Sequence, residues 1–249
     1  MEDFPVNAPP PAKGPPGNMI EQIMRESRGR PLAALLRHAA REEITDARSA
    51  LEALLTPAGR AAAEAFGSGL PVDRPVRIFH SPVERCRQTA VPMAEGFRQA
   101  GGRTGGVRES EILGGPYVLD PEALLDLLVH MDPRTFMQAW SGGGIGENVL
   151  WPLRDTAVQT LQFILSTLEG PAKNALDIHV THDVNIMIVL TLAWDLASDW
   201  RDWPGYLEGL LISMQGEEVT IRFRGRLAAI RLDSIMPRGD PQETPTQVK

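Results

Sequence analysis

Short apolar runs that end in polar or charged residues alternate along this chain with longer segments of helical period. Residues 32–36, 76–79 and 175–181 are three such runs. Between the last two, residues 153–168 place apolar side chains at spacings of three and four. Strands of this length alternating with helices are typical of a mostly parallel sheet covered by helices. The sequence therefore predicts an α/β fold.

The two ends of the chain differ from this middle part. Six of the first seventeen residues are proline, with almost no bulky apolar side chain among them, and residues 237–249 have a similar composition. Such segments bury too little apolar surface to offset the entropy lost on ordering. We therefore expect a disordered lead over residues 1–18, a single domain over residues 19–236 and a flexible tail over residues 237–249.

Composition excludes several classes of protein. The net charge of −7 and the pI near 5.3 disfavour general binding to nucleic acid or to an anionic membrane, which needs surplus Lys and Arg. The single cysteine, Cys86, excludes an intrachain disulfide and any zinc site made of cysteines alone. No secretory signal opens the sequence, and charged and polar residues interrupt its most apolar region, residues 178–196. We expect a cytoplasmic protein that neither spans nor binds a membrane.

Polar residues whose side chains can take part in catalysis or binding follow each of the three predicted strands. Because the binding crevice of an open α/β sheet lies at the carboxyl ends of its strands, they should meet at one edge. The candidates are Arg37, His38 and Arg41 after the first strand, Arg85 after the second, and His182 and Asp183 after the third.

This set of side chains favours phosphoryl chemistry. Three guanidinium groups aimed at one point repel one another unless a multiply charged anion lies between them, and Arg matches phosphate oxygens well. A histidine kept neutral by these cations can attack phosphorus, while a second histidine stabilises developing charge and an aspartate protonates the leaving oxygen. This chemistry requires no metal ion and no cofactor, and the expected partner is a small phosphorylated substrate.

Four motifs in order resemble those of the histidine phosphatase superfamily. The Arg-His-Gly strand end of that family is similar to Arg37-His38-Ala39, and its Ser-x-x-x-Arg-x-x-x-Thr-Ala block is similar to residues 81–90. A Leu-Thr-x-x-Gly segment lies between them at residues 55–59. Residues 180–185 resemble the His-Asp-x-Asn segment of the acid phosphatase and phytase branch.

The resemblance implies a three-layer α/β/α sandwich with a mostly parallel central sheet, the phosphoglycerate mutase-like fold. It also implies a phosphatase that acts through a covalent phosphohistidine. By position, the implied roles are the nucleophile for His38, phosphate binding for Arg37, Arg41, Arg85 and His182, and proton donation for Asp183.

Several alternatives stay open at this point. The mutase-like branch takes its acid from a glutamate about two dozen residues after the second-block arginine, where Glu109 and Glu111 lie. A phosphomutase using the same phosphohistidine is therefore one alternative function. Ala39 replaces the usual glycine, which raises a second alternative, a non-catalytic protein that binds phosphorylated ligands. The aromatic residues Trp200, Trp203 and Tyr206 either cover the site or pack in a subunit contact of a homodimer.

Overall fold

The computed structural model describes residues 19–26, 29–44, 50–169, 174–194 and 203–236. The predicted lead (residues 1–18) and tail (residues 237–249) lie outside these ranges. In the described residues the helices are α1 (Met19–Glu26), α2 (Pro57–Ser68), α3 (Glu84–Gln99), α4 (Pro121–His130), α5 (Pro133–Ser141), α6 (Leu153–Leu168) and α7 (Asp183–Trp194). The strands are β1 (Leu32–Arg37), β2 (Val76–His80), β3 (Thr104–Glu109), β4 (Leu176–Thr181), β5 (Gly209–Gln215), β6 (Glu218–Phe223) and β7 (Arg226–Arg231).

The described strands form one sheet in the order β3-β2-β4-β1-β5-β6-β7. The first four strands in this order are parallel, and β5, β6 and β7 continue the sheet as antiparallel neighbours. The predicted α/β class, with helices flanking a mostly parallel central sheet, is confirmed. Because β2, β4 and β1 are parallel and adjacent, their carboxyl ends meet at one edge of the sheet.

Two apolar cores lie on opposite faces of this sheet, and β1 contributes to both. Leu32, Ala34 and Leu36 face the core shared with α1, α2 and α3, whereas Ala33 and Leu35 face the core shared with α5, α6 and α7. All five side chains are buried, as expected for a central strand with helices on both faces. The strand that carries Arg37 and His38 is thus fixed from both sides.

Helices α2 and α3 pack unusually closely because glycine lies at their contact. A Cβ added at Gly67 would lie 1.9 Å from the carbonyl oxygen of Met93, and one added at Gly96 would lie 2.0 Å from that of Glu64. Real Cβ atoms do not approach backbone oxygens at such distances. The close contact fixes the position of α3, which carries Arg85.

One local prediction of the sequence is wrong. The Ser-x-x-Glu spacing of residues 81–84 indicates a helix capped by Ser81, but α3 begins at Glu84 and its N-cap is Val83, without a side-chain cap. The Ser81 hydroxyl instead accepts from the Val83 amide and contacts His182, so its side chain lies at the carboxyl edge of the sheet.

Among the described helices, none is long and apolar enough to cross a membrane.

Candidate active site

The carboxyl ends of β1, β2 and β4 bring most of the predicted site residues together. The amide of His38 donates to the Thr181 carbonyl (2.9 Å), and the amide of Ser81 donates to the Val180 carbonyl (3.0 Å). These bonds continue the parallel ladders by one residue beyond each strand. His38 and His182 consequently lie with ring centroids 5.5 Å apart, and both contact Arg85.

The hydrogen bonds of His38 fix its tautomer. Nε2 accepts from the Nε–H of Arg85 (3.1 Å), so the proton of the neutral ring lies on Nδ1, which donates to the Ala39 carbonyl (2.8 Å). Burial, followed by the nearby His182 and Arg85, lowers the pKa of His38 well below its usual value. His38 is therefore neutral at physiological pH, and its Nε2 lone pair faces the guanidinium group.

Arg85 connects the two histidines from the first turn of α3. Its Nη2 contacts Nδ1 of His182 (3.1 Å), and its Nη1 donates to the carbonyl of Ala50 (2.8 Å). Since an arginine has no acceptor, Nδ1 of His182 must be the unprotonated nitrogen. All three nitrogens of the buried guanidinium thus have partners, which orients its charge towards His38 Nε2.

His182 is held on its other side by residues of α3 and the preceding turn. Its Nε2 lies 3.0 Å from the Ser81 hydroxyl and 3.7 Å from the Cys86 sulfur. Burial and the Arg85 charge lower the pKa of His182, and a neutral ring with Nε2 protonated donates to Ser81. Burial raises the pKa of the Cys86 thiol to about 12, so this cysteine is an uncharged packing residue.

Arg37 and Asp183 form an ion pair beside the two histidines. Arg37 Nη2 lies 2.7 Å from Asp183 Oδ2, which also accepts from Trp203 Nε1 (3.1 Å), while Oδ1 accepts from the Val184 amide (2.9 Å). Burial alone would raise the pKa of Asp183, but Arg37 and the Trp203 hydrogen bond outweigh it and lower this pKa. The carboxylate is ionised in the structure as it stands.

Arg41 and the two glutamates are more peripheral. Arg41 is half-buried and donates to the Glu42 carbonyl (2.8 Å). Burial lowers the Arg41 pKa, Tyr206 opposes this effect, and the charge of Arg37 adds to it, so Arg41 lies within electrostatic reach of the cluster. Glu109 ends β3 beside His80, and Glu111 begins the short 3₁₀ turn that follows; both are exposed at the rim of the same edge.

The methyl group of Ala39 fits its surroundings. Ala39 is fully buried against Leu55 and Ala63, and its amide donates to the Thr89 hydroxyl (3.0 Å). The replacement of glycine therefore leaves room for the hydrogen bond between the Ala39 carbonyl and His38.

Among the described residues, no group of three or more His, Cys, Asp or Glu side chains is arranged to hold a metal ion.

The sequence did not reveal how residues 203–208 take part in the site. This segment, called the 203–208 loop below, supplies the indole donor to Asp183 and the Pro204 carbonyl that accepts from Arg37 (2.9 Å). Of the two interpretations of the aromatic stretch, the structure supports the one in which it covers the site, for Trp203 and Tyr206. Trp200 lies outside the described residues.

Part of this chain matches a known protein family. Residues 33–112 match the family model described as histidine phosphatase superfamily (branch 1). This segment runs from the second residue of β1 to just beyond β3, and thus includes His38 and Arg85. The match covers 80 of the 249 residues, and over that segment the chain is similar to the histidine phosphatase superfamily.

Several solved structures share the fold at low sequence identity. A mycobacterial glucosyl-3-phosphoglycerate phosphatase in complex with VO3 is 17% identical with a TM-score of 0.52, and the match covers 80% of this chain and 96% of that one. A structure titled mycobacterial hydrolase 2 is 16% identical with a TM-score of 0.51, covering 84% and 93%. Bacillus stearothermophilus YhfR is 20% identical with a TM-score of 0.50, covering 78% and 96%. No curated protein matches the sequence significantly.

The family match also bears on the choice of branch. It is to branch 1, and it ends at residue 112, before His182 and Asp183. The resemblance of the later segment to the acid phosphatase and phytase branch therefore stays a prediction.

Proposed function

We propose that this protein is a phosphatase that hydrolyses a small phosphate monoester in two steps, through a covalent phosphohistidine on His38. The observation that carries the proposal is the hydrogen bonding of this ring. Its Nδ1–H is committed to the Ala39 carbonyl, so the lone pair lies on Nε2, where it accepts from the Arg85 Nε–H and becomes available when that donor turns to a phosphate oxygen. A neutral imidazole beside fixed cations is the nucleophile that an anionic phosphoryl group requires.

Cationic and donor groups around Nε2 support a phosphate site. Arg37, Arg85 and His182 surround the nucleophile, and Arg41 adds positive charge at the margin. Burial lowers the pKa of Arg85, and the charges of Arg41 and Arg37 lower it further, whereas Cys86 and Asp183 act in the opposite direction. The three arginine charges therefore repel one another. An anionic phosphoryl group placed between them offsets this repulsion, and Arg donors favour its equatorial oxygens.

In the first step, His38 Nε2 attacks phosphorus in line, the P–N bond forms and the P–O bond to the leaving group breaks. The leaving oxygen takes a proton from Asp183. Because Arg37 keeps that carboxylate ionised at rest, the proton arrives with the substrate as a phosphate monoanion, whose second pKa lies near 6. Asp183 passes this proton from the phosphate to the leaving oxygen.

In the second step, a water molecule attacks the phosphorus of the phosphohistidine. Asp183 takes one proton from the water, the new P–O bond forms and the P–N bond breaks. Asp183 returns this proton to the departing inorganic phosphate and is ionised again, and His38 returns to its neutral form with Nδ1 protonated. The enzyme is thereby regenerated without any other reactant.

Phosphate release from a panel of monoesters tests this proposal. His38→Ala should abolish release, whereas His130→Ala, a matched change of an exposed histidine on α4, should leave it within twofold of the wild type. Undiminished release in the His38 variant would contradict the mechanism. Transfer of phosphate to an added alcohol instead of water would favour the phosphomutase, and binding without turnover would favour the non-catalytic alternative. The packing of Ala39 against Leu55 and Ala63 is compatible with a catalytic site, and the assay separates the two alternatives.

A further inference from the structure

The 203–208 loop is bonded directly to the residues of the proposed phosphate site. Trp203 donates to Asp183, the Pro204 carbonyl accepts from Arg37, and the Leu207 amide donates to the Arg37 carbonyl (3.2 Å). Three residues of a six-residue segment thus contact the Arg37–Asp183 pair. The loop is a wall of the site, and its position depends on the same residues that bind the phosphate.

A second set of contacts holds the loop at its far end. Arg224 Nε and Nη2 donate to the two carboxylate oxygens of the buried Glu208 (2.6 and 2.7 Å), and Oε2 also accepts from the Gly205 amide (2.7 Å). Leu207 and Arg224 both adopt a positive φ, at 56° and 47°. Such conformations are unfavourable for residues with a side chain and persist where the surroundings determine them, often at functional sites.

This arrangement presents the ring of Tyr206 at the mouth of the site. The guanidinium carbon of Arg37 lies 4.5 Å from the ring centroid, and the rings of Tyr206 and His38 are 5.8 Å apart at an angle of 43°. Tyr206 is 39% exposed. By contrast, Tyr117 is buried, and its hydroxyl bonds to Asn185, as is usual for a core tyrosine. The ring of Tyr206 is therefore a partly exposed apolar surface beside a cluster of cations, and it is not needed for the packing of the core.

We propose that Tyr206 determines substrate specificity by packing against the leaving group of the bound phosphate ester. This inference rests on the proposed function, because it places the phosphoryl group at His38 Nε2. The atoms beyond the ester oxygen then lie within reach of the ring that neighbours His38. Such a surface favours esters with a flat, unsaturated leaving group, such as an aryl or heteroaromatic alcohol, over esters of small polyols.

The size of the preference follows from ring stacking. An aromatic pair in offset or edge contact gains an affinity of about two- to tenfold beyond the effect of buried area. Trp203, the other aromatic residue of the 203–208 loop, is buried and its indole donates to Asp183. We therefore expect most of the discrimination to depend on Tyr206.

Binding of non-hydrolysable phosphonates tests the proposal independently of turnover. The affinities of phenylphosphonate and methylphosphonate would be measured by calorimetry for the wild type, Tyr206→Phe and Tyr206→Leu. The wild type and the Phe variant, which retains the ring, should both prefer phenylphosphonate. In the Leu variant the ratio of the two affinities should fall by about two- to tenfold, and kcat/KM for phenyl phosphate relative to glycerol 2-phosphate should fall in parallel.

The outcomes separate this proposal from the proposed function. No preference in the wild type, or an unchanged ratio in the Leu variant, would overturn the role of Tyr206 while leaving the phosphatase intact. Loss of the preference in the Phe variant would also overturn it, because the hydroxyl and not the ring would then be responsible. Failure of both phosphonates and inorganic phosphate to bind would overturn the phosphate site itself. Binding with the expected preference but without turnover would contradict only the phosphatase.

Discussion

Arg85 is the residue whose replacement tests the geometry of the site most fully. Its Nε and Nη2 contact the two histidines at 3.1 Å each, and its Nη1 is fixed by the Ala50 carbonyl. Lysine at this position keeps the charge but has one ammonium group, which cannot occupy all three places. Loss of one donor to a developing oxyanion lowers kcat by about 10²–10³-fold. We expect Arg85→Lys to lose activity in that range while the protein stays folded.

Arg85→Gln adds a change in pH dependence. In the wild type, burial, His182 and Arg85 all lower the pKa of His38. Removing the Arg85 charge removes one of these causes, so the pKa of His38 rises and less of the ring is neutral in acid. The acid limb of the kcat/KM profile should therefore move to higher pH in Arg85→Gln and stay nearly in place in Arg85→Lys.

The assay is a pH profile of kcat/KM with an aryl phosphate, accompanied by thermal unfolding. Arg87→Lys and Arg87→Gln are matched controls, because Arg87 lies on the same helix but is exposed and bonds to Glu84. Both controls should stay close to the wild type. Activity of the Arg85 variants within threefold of the wild type, or movement of the acid limb to lower pH, would refute the reasoning.

Three further predictions concern the acid and the scaffold. Asp183→Asn should slow the hydrolysis of alkyl phosphates about 100-fold or more but that of 4-nitrophenyl phosphate far less, since only poor leaving groups need a proton. Equal slowing of both would assign the role of proton donor to a glutamate at the rim. Glu111→Gln would then be the first variant to assay. Arg77 donates to both carboxylate oxygens of Asp177 at 2.7 Å, so Asp177→Ala leaves the guanidinium without its carboxylate partner. This variant should lower the free energy of unfolding, measured by urea titration, by about 3–5 kcal/mol. A loss below about 1 kcal/mol would show that water replaces the ion pair. Gly67→Ala should cost about 1–3 kcal/mol in the same titration, because the new Cβ meets the Met93 carbonyl, and an unchanged midpoint would mean that α2 and α3 separate freely.

The parts of the fold with a strong sequence signal were predicted well. β1, β2 and β4 are buried on both faces and read as apolar runs, and α6 begins and ends at the residues that its spacing indicates. β3 carries two glycines and little apolar surface, because it lies at the edge of the sheet, and its pattern gave no prediction.

The site was predictable to the extent that strand ends determine it. Residues that directly follow β1 and β4 meet because the two strands are parallel neighbours, which follows from the fold class alone. Contacts of the 203–208 loop depend instead on a hydrogen bond between Arg37 and a carbonyl 167 residues later. Nothing in the local sequence encodes such a pairing, so the aromatic stretch permitted two interpretations.

The central claim is that Nε2 of His38 becomes phosphorylated during turnover. The most direct measurement mixes the protein with a labelled aryl phosphate, quenches the reaction in base within milliseconds, and locates the phosphate by peptide mapping and ³¹P NMR. Because Nδ1–H is held by the Ala39 carbonyl, we expect a phosphoramidate on Nε2 of His38. Phosphate found on Nδ1 or on another residue would contradict the proposed intermediate. Steady-state turnover without a labelled peptide and without a rapid initial burst of the released alcohol would also contradict it.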